Sequence, residues 1–364
     1  MDNGSYVYAT LAKKHDNFTA PGFEIEVDGK PLPPGRYNIP GVEVEITSGG
    51  TAGGCYFTIE GQYDFENHKW VNDAAKYIKP GAKLSVLGGY VERKSMFFGY
   101  VDEYSLDFKD DGTPCISVTG MDATGYLMNR YEPIYAGQKK PKEIVETILK
   151  KCKSAGFAKK VTVGTLNGFE TPIIKEQMSD WEFLKVLGQR YGASLFVING
   201  ELIFDNVLKK TAPILTLTVG KSVGAFSRRV SLAHQVGKVE IQGRDVNFKP
   251  IKGTASTVTT GGDGKSAAQW VTGLRDAVLR ERSEFVRTQK ECELLAQNKL
   301  NSIAMGFVSG EGECIGIPEL IPGRYIKIDG GDDTTNGTYF LTRVIHSFTM
   351  GHYITSFEVK GAKA

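Results

Sequence analysis

An internal repeat is the feature of this sequence that most restricts its possible folds. Four short segments recur in the same order after an unrelated central region, three of them at a spacing of 242 residues and the last at 241. The matched pairs are Pro80-Gly81-Ala82-Lys83-Leu84-Ser85-Val86 with Pro322-Gly323-Arg324-Tyr325-Ile326-Lys327-Ile328, Gly88-Gly89 with Gly330-Gly331, Phe98 with Phe340, and Val118-Thr119-Gly120 with Val359-Lys360-Gly361. The order predicts a duplicated β-domain built as turn, strand, Gly-Gly turn, strand, hairpin and strand.

The region from about Phe23 to Met128 alternates apolar and polar residues with period two, which is typical of half-buried strands. The run Val42-Glu43-Val44-Glu45-Ile46 places its aliphatic residues on one face and its glutamates on the other. Lys109-Asp110-Asp111-Gly112 lies between two such runs, and Asp-Gly in that position predicts a hairpin. This region is predicted to be a β-domain.

The region from about Glu132 to Asn206 has helical periodicity. Pro141 precedes an apolar stripe that predicts a helix with proline in its first turn. Ser179 and Glu182 form a predicted capping box at the start of a second helix, which Gly192 would end. Asn199-Gly200 then predicts a tight hairpin. The stripe of the first helix is Ile144, Val145, Ile148, Leu149 and Cys152, and that of the second is Trp181, Leu184, Leu187 and Tyr191.

Strands return from about Ile214, and a helix-permissive segment, Ala267 to Ile303, interrupts them. A capping box at Thr288-Gln289-Lys290-Glu291 predicts a helix there. Its expected core face is Leu294, Leu295, Leu300 and Ile303. We therefore predict a β-rich α+β fold with two related tube-like β-barrel domains, an intervening small α+β domain and a helical insertion. The expected boundaries are 1–131 for the first β-domain, 132–212 for the α+β domain, 213–262 with 305–364 for the second β-domain, and 263–304 for the insertion.

Composition and charge narrow the functional class. The net charge of +2 is too small for a nucleic-acid binder that works through bulk electrostatics. The five cysteines are widely spaced without zinc-ligand spacing, which favours free buried thiols in a reducing compartment. The sequence shows neither a signal peptide at Met1 to Thr10 nor a long uninterrupted apolar run. We therefore expect synthesis in the bacterial cytoplasm and no membrane insertion.

No motif of the sequence defines a catalytic site. Gly264-Lys265-Ser266 resembles the end of a phosphate-binding loop, but that motif needs glycine where Thr259 stands. His346 and His352 are six residues apart across a predicted turn, which is not the spacing of a helical zinc site. Asp102 with Glu103 could form a glycosidase pair, although nothing marks that pair over others. We predict no catalytic, cofactor-binding or metal-binding residue.

Several segments resemble the late control protein D family of contractile phages, which is related to the T4 baseplate hub and to the N-terminal hub region of VgrG spike proteins. They include the Pro80-Gly81 turn with the Phe97-to-Asp102 and Val118-to-Asp122 strands, Asp180-Trp181-Glu182-Phe183-Leu184 continuing to Val197, and Gly310-Glu311-Gly312-Glu313-Cys314-Ile315-Gly316 followed by Pro322-Gly323, Gly337-Thr338-Tyr339 and Tyr353-Ile354-Thr355. The resemblance spans about Phe23 to Val359. The segment around Ala267 to Arg287 is longer than the resemblance would suggest.

The resemblance implies a structural subunit of a baseplate. The chain would form a homotrimer whose six β-domains adapt a six-fold tail tube to a three-fold spike. Its expected partners are the tail tube protein above, a separate spike protein below and other baseplate proteins, without sequence-specific nucleic-acid binding. We expect its final location to be the baseplate of a virion or of a phage-tail-like particle. Two other functions stay open at this point, a cell-wall hydrolase of the glycosidase type and a split hub of a VgrG-type secretion-system spike.

Overall fold

The structure is a computed structural model that describes residues 4–33, 36–48, 51–61, 63–71, 73–108, 114–135, 140–169, 173–262 and 264–364. The α-helices in these ranges are α1 (Tyr8–Lys14), α2 (Ala74–Tyr77), α3 (Ala123–Met128), α4 (Pro141–Ser154), α5 (Asp180–Tyr191), α6 (Ala267–Trp270) and α7 (Gln289–Ala304). The strands are β1 (Gly22–Val27), β2 (Lys30–Pro31), β3 (Gly41–Thr47), β4 (Gly54–Glu60), β5 (Tyr63–Asp64), β6 (Lys69–Trp70), β7 (Lys83–Gly89), β8 (Arg93–Asp107), β9 (Cys115–Met121), β10 (Ile134–Tyr135), β11 (Lys160–Val163), β12 (Ile174–Lys175), β13 (Ser194–Ile198), β14 (Glu201–Asp205), β15 (Pro213–Thr218), β16 (Val223–Val230), β17 (Lys238–Arg244), β18 (Pro250–Ala255), β19 (Val278–Arg282), β20 (Val308–Ile315), β21 (Tyr325–Asp329), β22 (Gly337–Thr349) and β23 (His352–Gly361).

One large sheet contains two β-modules with the same strand order. The first β-module runs β3-β4-β9-β8-β7-β1, and the second β-module runs β16-β20-β23-β22-β21-β15. The modules differ at their last strand, because β1 is antiparallel to β7 whereas β15 is parallel to β21. The predicted β-rich α+β fold with two related β-domains is confirmed.

The same turn opens the central hairpin of each module. Gly81 and Gly323 both have left-handed backbone, with φ of 84° and 80°, a conformation that favours glycine. The Gly81 amide donates to the carbonyl of Val101 at 2.8 Å, and the Gly323 amide donates to the carbonyl of Leu341 at 2.9 Å. Val101 of the first module therefore corresponds to Leu341 of the second.

The register irregularity that follows confirms this correspondence. In the first module the ladder between β8 and β9 shifts between Val101 and Glu103, and in the second the ladder between β22 and β23 shifts between Leu341 and Arg343. An extra residue at the same place in both hairpins is a shared β-bulge, which bends and twists each long strand alike. Glu103 therefore corresponds to Arg343.

Two of the sequence matches are wrong in register. Phe340 lies opposite Tyr325, as Tyr100 lies opposite Lys83, so its counterpart is Tyr100 and not Phe98. Gly120 lies opposite Val101, and Val359 lies opposite the counterpart of Val101, Leu341. Gly120 therefore corresponds to Val359 and not to Gly361. The connections between the strands differ in length in the two copies. A single constant spacing therefore cannot match every residue of one copy to its counterpart in the other.

The predicted Gly-Gly turn also differs between the copies. Gly330 and Gly331 lie in a turn after β21, whereas Gly88 and Gly89 belong to β7 and pair with β8. The predicted turn at Lys109–Gly112 lies outside the described residues. The strands on either side of it, β8 and β9, are antiparallel neighbours as a hairpin requires.

The predicted α+β elements between the modules are confirmed. The stripe of α4 is buried, and Ser179 caps α5 in a capping box with Glu182. The helix ends at Gly192, whose φ is 64°. Asn199 and Gly200 join the antiparallel strands β13 and β14 in a two-residue turn with φ of 51° and 80°, the positive angles that such hairpin turns require.

Strands β17 and β18 lie outside the sheet for which they were predicted. The boundary at 262 placed them in the second β-domain, but they pair with β19 in a separate three-stranded sheet packed against α7. The segment 263–304, predicted as a helical insertion, contains this strand as well as α6 and α7. The capping box at Thr288 forms, and α7 buries Glu291, Cys292, Ala296, Leu300 and Ala304, so its core face is rotated from the prediction.

Candidate assembly interface

The two modules are joined edge to edge by an internal junction between β22 and β3. Residues Arg343 to Thr349 run antiparallel to residues Thr47 to Gly41. Val344 and Phe348 point to the core side of this junction and are buried, with exposed fractions of 0% and 1%. Pairing of the backbone edges and burial of one apolar face together make two modules into a continuous sheet.

An ion pair crosses the outer face of the internal junction. Nε and Nη2 of Arg343 donate to the two carboxylate oxygens of Glu45 at 2.7 and 2.9 Å, and Nη1 donates to Glu358 at 2.9 Å. Hydrogen bonds to Glu45 and Glu358 raise the pKa of the Arg343 guanidinium. The two-pronged geometry fixes direction as well as distance, so this pair specifies the register of the junction.

The second half of β8 has an open edge. β8 pairs with β7 up to Tyr100, and from there to Asp107 it pairs with β9 on its other side. Within the described ranges, no strand pairs with the free edge of Glu103 to Asp107. Tyr104 and Leu106 are exposed on this half-strand, at 39% and 44%.

Strand β16 is another edge strand of the large sheet. It pairs with β20 on one side, and no strand of the described part of the chain pairs with its other side. Arg229 and Val230 are exposed there, with Val230 at 45%. An open edge with exposed apolar side chains is a template for pairing with another strand.

The two open edges are counterparts of the two strands that already pair in the internal junction. β8 corresponds to β22, and β16 corresponds to β3, since each pair occupies the same place in the module order. The chain therefore presents at its two ends the same kinds of edge that it joins in its middle. Such an arrangement can extend head to tail from one copy to the next.

No residue of this interface was predicted from the sequence to contact a second copy. A signal was present in the alternation of Tyr104, Leu106 and Phe108, because apolar residues at every second position normally face a core. This alternation indicates an interface only if the counterparts of these residues in the second module are known to be buried. That knowledge depends on the strand register, which the constant spacing of the sequence matches did not supply.

The two histidines considered as a pair lie in different environments. His346 is fully buried, its Nδ1 lies 2.8 Å from the Tyr353 hydroxyl, and its Nε2 lies 3.1 Å from the Leu320 carbonyl. Burial lowers the pKa of His346 to about 4. His352 is exposed at the start of β23. The structure does not bring these side chains together into a metal site.

The remaining candidate residues lie at the surface or in backbone and capping contacts, and they do not form a catalytic site. Asp102 and Glu103 lie exposed on β8 at the bulge. Lys265 pairs its backbone with Ala364, and Ser266 caps the short helix α6. Among the described residues, no group of three His, Cys, Asp or Glu side chains is arranged to hold a metal ion.

One carboxyl has the raised pKa that a general acid needs, but its contacts are those of a helix cap. Burial raises the pKa of Asp122 to about 6. Its two oxygens accept from the backbone amides of Thr124 and Gly53 at 2.8 and 2.9 Å, so they hold the start of α3 against the turn before β4. This carboxyl is 5% exposed and does not open onto a substrate cleft.

A buried carboxylate fastens the N-terminal helix to both modules. Glu319 accepts from Lys94 at 2.7 Å and from Lys14 at 3.1 Å, and it lies 3.0 Å from Nε2 of His15. Burial by itself would raise the pKa of Glu319, but the bonds from Lys94 and His15 lower it to about 2. These contacts join α1, the first module at Lys94 and the second module at Glu319.

Comparison with known proteins assigns the family. The model of the Alg8 N-terminal domain family matches residues 19–350. The chain belongs to the Alg8 N-terminal domain family. No curated protein matches it. None of the helices in the described ranges has the length and apolar character needed to cross a membrane.

Solved structures of tail proteins share the fold of this family member. The 43 kDa tail protein of prophage MuSo2 from Shewanella oneidensis aligns with a TM-score of 0.68 at 16% identity, covering 94% of this chain and 99% of that one. A tail protein from Neisseria meningitidis aligns with a TM-score of 0.68 at 12% identity over 94% of this chain and 96% of that one. A type VI secretion component from E. coli aligns with a TM-score of 0.57 at 12% identity over 93% and 76%.

Proposed function

We propose that this chain is a structural baseplate or tail hub subunit of a contractile phage tail or a tail-like injection particle. Three copies would close into a ring of six β-modules, which matches a six-fold tail tube on one side and a three-fold spike on the other. The observation that carries this proposal is the repeated edge: the chain joins its two modules through β22 and β3, and leaves the equivalent strands β8 and β16 open at its two ends.

The neighbouring folds support the same role. Tail proteins from two organisms align over nearly the whole of this chain and nearly the whole of their own length. The proposed partners are the tail tube protein, a separate spike protein and other baseplate proteins. In this arrangement the two β-modules line the ring, and the α+β part with β17, β18 and α7 lies outside or below it.

Such a ring needs no chemistry from its subunits. The bonds described above between Glu319 and its partners, between Arg343 and Glu45, and around His346 all serve to hold elements in place. A rigid subunit suits a part that transmits force between a contracting tail and a spike. The proposal is therefore of a non-enzymatic, structural protein.

The mass of the purified protein in solution tests the proposal. Light scattering should give three times the 39.8 kDa of the chain for the protein alone, or, where the trimer forms only with its candidate spike, that mass added to the mass of the bound spike in the mixture. A monomer in both samples up to high protein concentration would contradict the hub and direct attention to hydrolase assays on peptidoglycan. A spike of unrelated three-fold symmetry serves as the control for non-specific mixing.

A further inference from the structure

We infer that the open edge of β8 in one copy pairs with β16 of the next copy in a defined register, held by an ion pair whose charges are exchanged relative to the internal junction. This inference rests on the proposed function, because it names the contact through which a ring would close. It commits to a second copy of this chain as the occupant of both edges.

The register follows from the internal junction. Glu103 corresponds to Arg343 through the shared bulge. Val44 lies opposite Cys55, which lies opposite Gly120 on its other side. In the same way, Arg228 lies opposite Gly310, which lies opposite Val359. Since Gly120 corresponds to Val359, Val44 corresponds to Arg228.

Transferring the internal pairs then gives the pairs between copies. In the internal junction Arg343 lies opposite Thr47, and Ile345 lies opposite Glu45. The resulting pairs between copies are Glu103 with Ser231, Tyr104 with Val230, Ser105 with Arg229, Leu106 with Arg228, and Asp107 with Ser227.

The charges of the two edges fit this register. Arg343 and Glu45 form the ion pair of the internal junction, and their counterparts are Glu103 and Arg229. The acid and the base have changed places, so the pair between copies keeps its attraction with the opposite polarity. Asp107 also falls diagonal to Arg229, on the side opposite Glu103, and diagonal neighbours on one face of an antiparallel pair are within reach of a long side chain.

The exchange has a consequence for specificity. If the β22 edge of one copy met the β16 edge of another, Arg343 would face Arg229. If the β8 edge met β3, Glu103 would face Glu45. Like charges on diagonal neighbours of one face repel across the two strands, so each edge rejects the wrong partner while the internal junction forms within the chain.

The apolar residues also fit. Tyr104, Leu106 and Val230 are 39%, 44% and 45% exposed, whereas their counterparts Val344, His346 and Ile46 are 0%, 0% and 4% exposed in the internal junction. The same positions of the module are therefore core positions where the edge is paired and surface positions where it is open. Pairing with a second copy would remove this apolar surface from water.

Charge reversal tests the ion pair. Glu103→Arg and Arg229→Glu should each raise the concentration needed for half-assembly by about tenfold or more, because each of the junctions around the ring changes from attraction to repulsion. The double variant with both reversals in one chain should recover most of the assembly that either single variant loses, because the attraction between positions 103 and 229 returns, although Asp107 then lies diagonal to a carboxylate at position 229. Lys360→Glu, an exposed charge on the interior strand β23, is the matched control and should leave assembly unchanged.

Cysteine cross-linking tests the register independently. Ser105→Cys with Arg229→Cys places two cysteines directly opposite in the inferred pairing. The background carries Cys115→Ser, because Cys115 is the free cysteine of this chain that is not fully buried. Oxidation should give covalent oligomers on a non-reducing gel that stop at three copies. Ser105→Cys with Ala225→Cys, four residues out of register, is the control and should give none.

The outcomes separate the inferred junction from the proposed hub. A trimer by light scattering without cross-links at the inferred pair, and without an effect of charge reversal, would overturn the junction and leave the hub standing. Cross-linked species that continue past three copies would support the junction and contradict the trimeric hub. A monomer by light scattering that gives no cross-links even when concentrated would overturn both.

Discussion

A buried histidine shows how single residues of this protein are committed to structure. His346 is enclosed on β22, and burial holds its pKa at about 4 while the Leu320 carbonyl and the charge of Glu319 oppose that shift. A histidine that is neutral in the folded state and protonates near pH 6.5 when unfolded links stability to pH. The unfolded chain binds the proton first, so acid favours unfolding.

The expected effect of His346 is a loss of stability between about pH 6.5 and pH 4. The full contribution is present above pH 6.5 and falls by about 2 kcal/mol at pH 5 and about 3 kcal/mol at pH 4. His346→Gln, which keeps a donor and an acceptor, should flatten this part of the profile in urea unfolding measured from pH 4 to pH 7. His352→Gln, at the exposed histidine, is the control. Equal pH profiles for the wild type and His346→Gln would contradict the assignment.

At the scale of elements, the modules touch closely where a glycine replaces a side chain. Gly88 on β7 lies against the ring of Phe348 on β22, and that ring stacks on Tyr353 with centroids 3.9 Å apart. A Cβ at position 88 would meet the Phe348 ring, so this glycine permits the contact between the first module and the second.

Gly88→Ala should therefore destabilise the protein by roughly 1–3 kcal/mol, the usual range for overpacking a core. Thermal or urea unfolding measures the loss. Phe348→Leu should cost less in the Gly88→Ala background than in the wild type, because it removes the clashing ring. Gly273→Ala, where the added Cβ has no neighbour within 4 Å, is the matched control. Additive effects of the two core substitutions would show that the residues do not interact.

The elements that local physics controls could be predicted from the sequence. Alternation placed Val42, Val44 and Ile46 on the buried face of β3, and the capping box at Ser179 marked the start of α5. Pairing between distant strands could not be predicted in this way. Nothing near β17 or β18 indicates that they join β19, because this choice depends on the packing of α7 against them.

Contacts between distant segments also explain why the buried face of α7 was predicted wrongly. Leu294 and Leu295 are only partly buried, and the small residues Cys292 and Ala296 are deepest because β17 and β18 approach that side closely. Gly253 on β18 lies against the backbone of Glu293, where a larger residue on either element would not fit. Tertiary proximity, not hydrophobicity, selected this face.

At the scale of the whole molecule, one type of junction accounts for both halves of the sheet. The first module meets the second through β22 and β3 inside the chain, and the inferred contact between copies repeats that geometry with β8 and β16. A ring of n copies then contains twice n modules joined by one kind of edge contact. Three copies give the six modules that a six-fold tube requires. Counted as whole chains, the same ring has only three-fold symmetry.

A mixture of the two charge-reversed chains shows whether the ring contains an odd or an even number of copies. In an alternating ring, Glu103→Arg faces Arg229→Glu at one junction, and the two unchanged residues face each other at the next, so every junction is attractive. Alternation is impossible around an odd ring, because one junction always joins two copies of the same variant. A one-to-one mixture should therefore assemble better than either variant alone but less well than the double variant, as measured by light scattering over a dilution series. Assembly of the mixture equal to that of the double variant would indicate an even ring and contradict the trimer.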